Sequence, residues 1–131
     1  DANTPQVVKA GDGLELTVTR KALEFPLGLP SDRISARRIP LEHIPPYDLG
    51  TEKVIAAYTI TPYSITSKTV PIGVKMDLDL DPGTEVHLRS VWEFDGKVSE
   101  PVTAHASLDG RTVVTDPGVG LDNLTWILVS R

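Results

Sequence analysis

The sequence predicts an all-β fold, an antiparallel β-sandwich of seven to eight strands with a long proline-rich insertion after the first. Three observations predict it. Apolar and polar residues alternate over several stretches, which on a strand sorts them to opposite faces. Turn residues recur at short intervals after Glu52: Asp81-Pro82-Gly83, Asp95-Gly96, Asp109-Gly110 and Asp116-Pro117-Gly118. Only one short stretch offers a helix start. Strands punctuated every ~8 to 12 residues by turns are the pattern of a sandwich or barrel.

The elements follow in chain order. Residues 1–6 are polar and patternless, and read as a flexible tail. Ala10-Gly11-Asp12-Gly13 is a turn. After it, Leu14, Leu16 and Val18 alternate with Glu15, Thr17 and Thr19 as the first strand. Residues 21–50 change character, with Pro26, Pro30, Pro40, Pro45 and Pro46. Proline donates nothing to a sheet ladder and biases its predecessor away from helix. Ser31–Arg38 is the one candidate for a short helix, capped by Ser31. Phe25, Leu27, Leu29, Ile34, Ile39, Leu41 and Ile44 carry too much apolar surface for a solvated linker, so the segment is expected to pack on the sheet.

Residues 53–60 form a β-rich run ended by Pro62. Val70, Ile72, Val74, Met76, Leu78 and Leu80 then alternate with Lys75, Asp77, Asp79 and Asp81. A second alternation puts Val86, Leu88, Ser90, Trp92 and Phe94 on one face and Glu85, His87, Arg89 and Glu93 on the other. These two runs, joined by Asp81-Pro82-Gly83, are expected to pair as a long hairpin at the centre of the sheet. Asp95-Gly96 and Asp109-Gly110 mark further hairpins. Residues 102–108, 111–115 and 123–130 supply the closing strands, with Val102, Ala104, Ala106 and Leu108 facing inward.

At 131 residues the chain suits one domain, 1–131. The net charge of −5 argues against a nucleic-acid groove, which needs clustered Lys and Arg, and against an anionic membrane surface. No apolar run reaches the ~20 residues that span a bilayer. The absence of cysteine excludes disulfides, thiolate metal sites and cysteine nucleophiles. A polar start without Met suits a mature exported protein or a domain cut from a longer chain. The expected location is secreted or cell-surface, with lipid anchoring as a variant of the same idea.

Candidate chemistry is sparse. Asp77, Asp79 and Asp81 resemble the opening of a calcium loop, but Pro82 and Leu88 stand where such a loop needs Gly and Glu. Carboxylates two apart on a strand lie ~7 Å apart and do not converge. The row reads better as charge that guards a strand edge against further pairing. His43, His87 and His105 have no local metal-ligand spacing, and two histidines without a third ligand make a weak zinc site. No Gly-x-Ser-x-Gly, His-Glu-x-x-His or phosphate loop occurs. No catalytic residue and no cofactor is therefore expected. Asn123-Leu-Thr125 matches a glycosylation acceptor at the start of a strand, a match expected by chance.

Arg33, Arg37 and Arg38 form the one tight basic cluster. On a helix, positions 33 and 37 share a face, and the cluster reads either as a docking patch or as partners of Asp32, Glu42 and Asp48. Together with His43 and Tyr47 it makes the insertion the expected binding surface, because loops on rigid scaffolds carry binding residues disproportionately.

The strand pattern resembles the small secreted immunoglobulin-like, telokin-like β-sandwich proteins of actinobacteria. The resemblance rests on Gly13-Leu-Glu-Leu-Thr-Val-Thr19, Lys53-Val-Ile-Ala-Ala-Tyr-Thr-Ile-Thr61, the loop from Ser64 to Thr69, and Trp126. It implies an immunoglobulin-like sandwich engaged in host or surface interaction, with no enzymatic residues. The functional expectation is a non-enzymatic, exported domain that binds a protein or surface partner. A structural module of a virion or surface assembly is the alternative, and a small-ligand or carbohydrate-binding module the third.

Overall fold

A computed structural model describes residues 3–26, 33–92 and 97–131. It is all-β and antiparallel. Among the described residues twelve strands form: β1 (Gln6–Gly11), β2 (Leu14–Val18), β3 (Leu23–Glu24), β4 (Ser35–Arg38), β5 (Val54–Thr61), β6 (Ile65–Ser67), β7 (Gly73–Asp77), β8 (Glu85–Val91), β9 (Val102–Ala106), β10 (Thr112–Thr115), β11 (Asn123–Leu124) and β12 (Trp126–Ser130). Nine of them share one sheet in the order β1-β2-β7-β10-β9-β8-β12-β5-β4. The three shortest, β11-β6-β3, make a second sheet. No helix among the described residues is long and apolar enough to cross a membrane.

Eight antiparallel steps bring β1 and β4, the two end strands, into the same direction. They also come together in space. The Arg38 amide donates to Asp12 Oδ2 at 2.8 Å, tying β4 to the β1–β2 turn. The large sheet thus nearly closes on itself, and its concave face encloses one hydrophobic cluster. Leu14, Leu16, Tyr58, Ile60, Val74, Met76, Val86, Leu88, Ala104, Val113, Ile127 and Val129 all point into it. Alternation is what delivers them, since each strand gives every second side chain to the interior. Each large aliphatic buried in this way contributes about 1.5–3 kcal/mol.

The alternating run over residues 72–76 behaves as its sequence dictates, with Ile72, Val74 and Met76 buried. The expected hairpin between this run and the next does not form. β7 pairs with β2 and β10, whereas β8 pairs with β9 and β12. The connecting stretch instead wraps the tip of the β9–β10 hairpin. Leu78 and Leu80 donate their amides to the carbonyls of Arg111 and Gly110, both at 3.0 Å, and Gly83 donates to Ala106 at 3.1 Å. The four strands stand in the order β7-β10-β9-β8, a Greek key. The turn chemistry of Asp81-Pro82-Gly83 is sound, but seven residues from 78 to 84 are enough to step over two strands. β7 is therefore interior, and Asp77, Asp79 and Asp81 do not guard an edge.

The proline-rich segment is a covering layer and not a plain insertion. Ser35–Arg38 is a strand paired with β5, so no helix forms there. Ser31, Asp32, Leu27, Leu29 and Pro30 lie outside the described residues, as do Phe94 and the Asp95-Gly96 turn. Leu23 and Phe25 pack against the main core. Ile39, Ile44 and Tyr47 lie on the convex face over Ala57, Val91 and Leu128, with Trp126 and Val98 beside them. Two inward placements fail. Leu108, at the hairpin tip, is 95% exposed, and Trp92 is 47% exposed at the end of its strand.

Amide exchange is expected to separate the two parts of this cover. Ile39 donates to Ala57 O at 2.9 Å and should exchange as slowly as β5, while His43 and Ile44, held by one 3₁₀ turn, should exchange much faster. Equal exchange at Ile39 and His43 would show that the layer is not clamped to the sheet.

Candidate functional site

The basic cluster is split by the strand it occupies. On β4, Ala36 and Arg38 share one face and Ser35 and Arg37 the other, so Arg37 and Arg38 point to opposite sides. Arg38 lines a cleft of about 330 Å³ at one end of the sheet with Asp77, Leu78, Asp79 and Arg111. Arg37 sits directly across from Thr59, which sits across from Trp126 on the convex face. Arg33 and His43 are exposed. Tyr47 is half-buried, and that burial raises its hydroxyl pKa above the usual value. Arg38 thus parts from Arg37, which lies on the convex face that Tyr47 and Trp126 also occupy.

The acidic row is spread over two clefts. Asp77 and Asp79 line the Arg38 cleft, and Asp79 and Asp81 line a second cleft of about 420 Å³ with Asp109, Arg111 being common to both. The Ser107 hydroxyl and the Arg111 amide hold the Asp109 carboxyl below its ordinary range. No three His, Asp or Glu side chains among the described residues are gathered so as to hold a metal ion. Asn123 is 2% exposed, which leaves the glycosylation match without an accessible acceptor.

A polar network that local spacing does not announce crosses the convex face. His87 Nδ1 contacts Glu52 Oε1 at 2.6 Å, and Arg89 Nη2 donates to Glu52 Oε2 at 2.9 Å. Arg89 Nη1 donates to the Ser130 hydroxyl at 2.8 Å, and that hydroxyl donates to Glu52 at 3.1 Å. On the neighbouring strand His105 Nδ1 contacts Asp116 Oδ1 at 2.6 Å. Glu85 lies between the rings, 3.3 Å from His87 Nε2 and 3.6 Å from His105 Nε2. The register builds this row: Glu85 is directly opposite His105, and His87 follows Glu85 by two on β8.

Each contact has a chemical consequence. A carboxylate only accepts, so the ring nitrogen donates in each of the two short contacts, His87 Nδ1 to Glu52 and His105 Nδ1 to Asp116. The Arg89 guanidinium, then the His87 ring, hold the Glu52 carboxyl down at about 2. Both Nε2 atoms face a carboxylate and not a hydroxyl, so the row is half of a Ser-His-Asp arrangement and lacks the nucleophile's place.

The second feature is an open groove of about 540 Å³ on the convex face of β1, β2, β7 and β10. Gly73 forms its floor, because every neighbouring outward position carries a side chain. Val7, Val70, Pro71, Val114, Pro117 and Val119 supply apolar walls, with Glu15, Lys75 and Asp116 at the rim. Glu15 stands directly across from Lys75, so these two charges offset each other.

No family model, no curated protein and no solved structure matches this chain.

Both features were partly visible in the sequence. A lone Gly73 between Ile72 and Val74 signals a gap or a close approach in a strand. Glu85-x-His87-x-Arg89 places three polar groups on one face. What no spacing reveals is Glu52, which reaches the row from the loop before β5, or Asp116, which reaches it from the turn after β10.

Proposed function

We propose that this chain is a non-enzymatic, exported or cell-surface β domain that binds a protein partner, and that it does so through the groove over Gly73. One observation carries the reading. Seven large hydrophobic side chains are well exposed among the described residues, and three of them, Val7, Val114 and Val119, line this groove. Scattered exposed apolar residues need no explanation, but a contiguous patch with a polar rim is a feature of interaction sites. The groove is open and crosses four strands. That form suits an extended chain segment better than a small molecule, which a pocket would enclose over most of its surface.

This proposal places the binding surface on the groove and not on the proline-rich segment. Ile39, Ile44 and Tyr47 are occupied with covering Ala57 and Leu128, and Arg37 and Arg38 diverge. An immunoglobulin-like, telokin-like relationship is part of this proposal, and the Greek key of β7, β10, β9 and β8 is a connection that immunoglobulin-like sandwiches also use. The gene sequence upstream of Asp1 tests export and anchoring.

An array of random dodecapeptides, probed with the labelled full chain, tests the groove. Val119→Glu is expected to leave stability within about 0.5 kcal/mol of wild type, as for other exposed positions, and to weaken peptide binding by about tenfold or more, equivalent to ~1.4 kcal/mol. His43→Ala and Arg37→Ala should bind as wild type does. Binding that survives Val119→Glu, or that disappears with Arg37→Ala, would return the site to the proline-rich segment.

A further inference from the structure

A second cavity stands apart from the groove, at the end of the nearly closed sheet where Arg38, Asp77, Leu78, Asp79 and Arg111 surround about 330 Å³. Backbone contacts fix its walls. On one side is the Asp12-Gly13 turn: Asp12 Oδ2 accepts from the Arg38 amide at 2.8 Å, and the Gly13 carbonyl accepts from the Asp77 amide at 2.9 Å. Gly13, at a φ of +76°, also leaves the room that Asp77 uses, since a Cβ there would stand 2.8 Å from Asp77 Oδ2. On the other side the Leu78 amide donates to the Arg111 carbonyl at 3.0 Å.

The four charges in this cleft sum to zero, yet they are not used on one another. Arg38 and Arg111 bond through their backbone amides, to Asp12 and Asp109. Among the described residues neither guanidinium takes part in a hydrogen bond or an ion pair, and neither do the carboxylates of Asp77 and Asp79. Below them lies a polar group in the same condition. Tyr58 is directly opposite Arg38 and shares its inward face. It is wholly buried, and its hydroxyl has no hydrogen-bond partner among the described residues. The charges that act on this hydroxyl are those of Arg38, Asp77 and Asp12, so it points to the cleft end of the sheet. Burial raises its pKa, which keeps the proton in place and leaves the hydroxyl able to donate and to accept. A buried hydroxyl without a partner carries its whole desolvation cost.

We infer that this cleft binds a free α-amino acid, with the carboxylate between Arg38 and Arg111 and the ammonium on Asp77 and Asp79. The charge pattern selects the class. An anion such as phosphate would meet two carboxylates, and a metal ion would meet two guanidiniums. A zwitterion gives each sign its opposite, with charge-assisted hydrogen bonds at both ends. Its carboxylate also matches the planar fork of a guanidinium. The Tyr58 hydroxyl adds a donor on the carboxylate side, next to Arg38. Size agrees with one small molecule: ligand cavities run from about 300 to 1,000 Å³ and recur at the mouths of closed sheets. Half-buried Leu78 gives the ligand's side chain an apolar wall. This site is separate from the groove and stands whether or not the groove binds peptide.

Saturation-transfer NMR of the full chain with each common L-amino acid tests the inference. At least one is expected to bind, and its N-acetyl and carboxamide derivatives should each bind about tenfold more weakly. Arg38→Gln and Asp77→Asn should each cost about tenfold in affinity with circular dichroism unchanged. Tyr58→Phe should weaken binding while its thermal midpoint does not fall, because the hydroxyl has no protein partner to lose. Val119→Glu, in the groove, should bind the amino acid as wild type does. No binding of any free amino acid, or equal binding by the blocked derivatives, would overturn the inference. Tighter binding of inorganic phosphate, or of calcium chloride, through the same residues would assign the cleft to a lone anion or cation and overturn it as well.

Discussion

Replacing Glu52 by Gln is expected to cost about 2–3 kcal/mol at neutral pH and to remove part of the protein's acid sensitivity. Arg89 is 8% exposed, and its guanidinium is held by Glu52 and Ser130. Taking away one partner of a buried pair leaves a charge without compensation, which costs about 3–5 kcal/mol in fully buried cases. Here Ser130 remains as an acceptor and the Glu52 side chain is 22% exposed, so the lower figure applies. The same carboxylate accepts from the Ser130 hydroxyl at 3.1 Å, and next to it Lys53 and Arg131 exchange backbone hydrogen bonds of 2.9 and 3.1 Å.

The pH dependence has a definite sign. The folded-state pKa of Glu52 is lowered to about 2 from an ordinary 4.5, first by Arg89 and then by His87. The unfolded chain therefore takes up the proton first as pH falls. Stability from this group is complete above pH 4.5 and drains away between there and about 2. Glu52→Gln has none of it to lose. Urea unfolding at pH 7 and pH 3 should show the difference between wild type and variant shrinking on the acid side. A difference that stays constant with pH would mean that the carboxylate is not the titrating group.

How much of this was legible in the sequence depends on whether a feature needs register. The inward rows Leu14-Leu16-Val18, Ile72-Val74-Met76 and Val86-Leu88 follow from alternation alone, because burial on a strand repeats every second residue. The turns at Asp109-Gly110 and Asp116-Pro117-Gly118 follow from residue type. Strand order does not. Asp81-Pro82-Gly83 fits a tight hairpin equally well and a step across two strands, and only the full set of pairings chooses between them. Ser35–Arg38 has no strong preference, so pairing with β5 overrides the helix cap suggested by Ser31. Two-residue strands such as Leu23–Glu24 and Asn123–Leu124 exist because Ile65–Ser67 offers them partners. The histidine row lies beyond local reading for the same reason: its members come from β8, β9 and two separate loops.

Gly120→Ala is expected to be among the most damaging single methyl additions in the chain, at about 3 kcal/mol. A Cβ there would stand 2.3 Å from Ile72 O, 2.6 Å from its carbonyl carbon and 2.9 Å from its nitrogen. All three are backbone atoms, so no side chain can swing aside to make room. The approach is that close because Ile72 and Leu121 exchange two backbone hydrogen bonds, at 2.8 and 2.9 Å, with both residues buried. This bridge fastens the loop of residues 116–122 to the start of β7, and the loop carries Pro117 and Val119, one wall of the groove. Stability and binding are thus linked at one position: Gly120→Ala should lower the urea midpoint and weaken peptide binding together. Gly118, in the same loop, gives the control. Its φ of +75° makes alanine unfavourable by about 1 kcal/mol, but a Cβ there meets nothing within 4 Å, so the bridge and the groove wall should survive. If Gly120→Ala matched wild type in both assays, the bridge would not be what shapes the groove. If Gly118→Ala alone abolished binding, the turn itself, and not its anchorage on β7, would be the determinant.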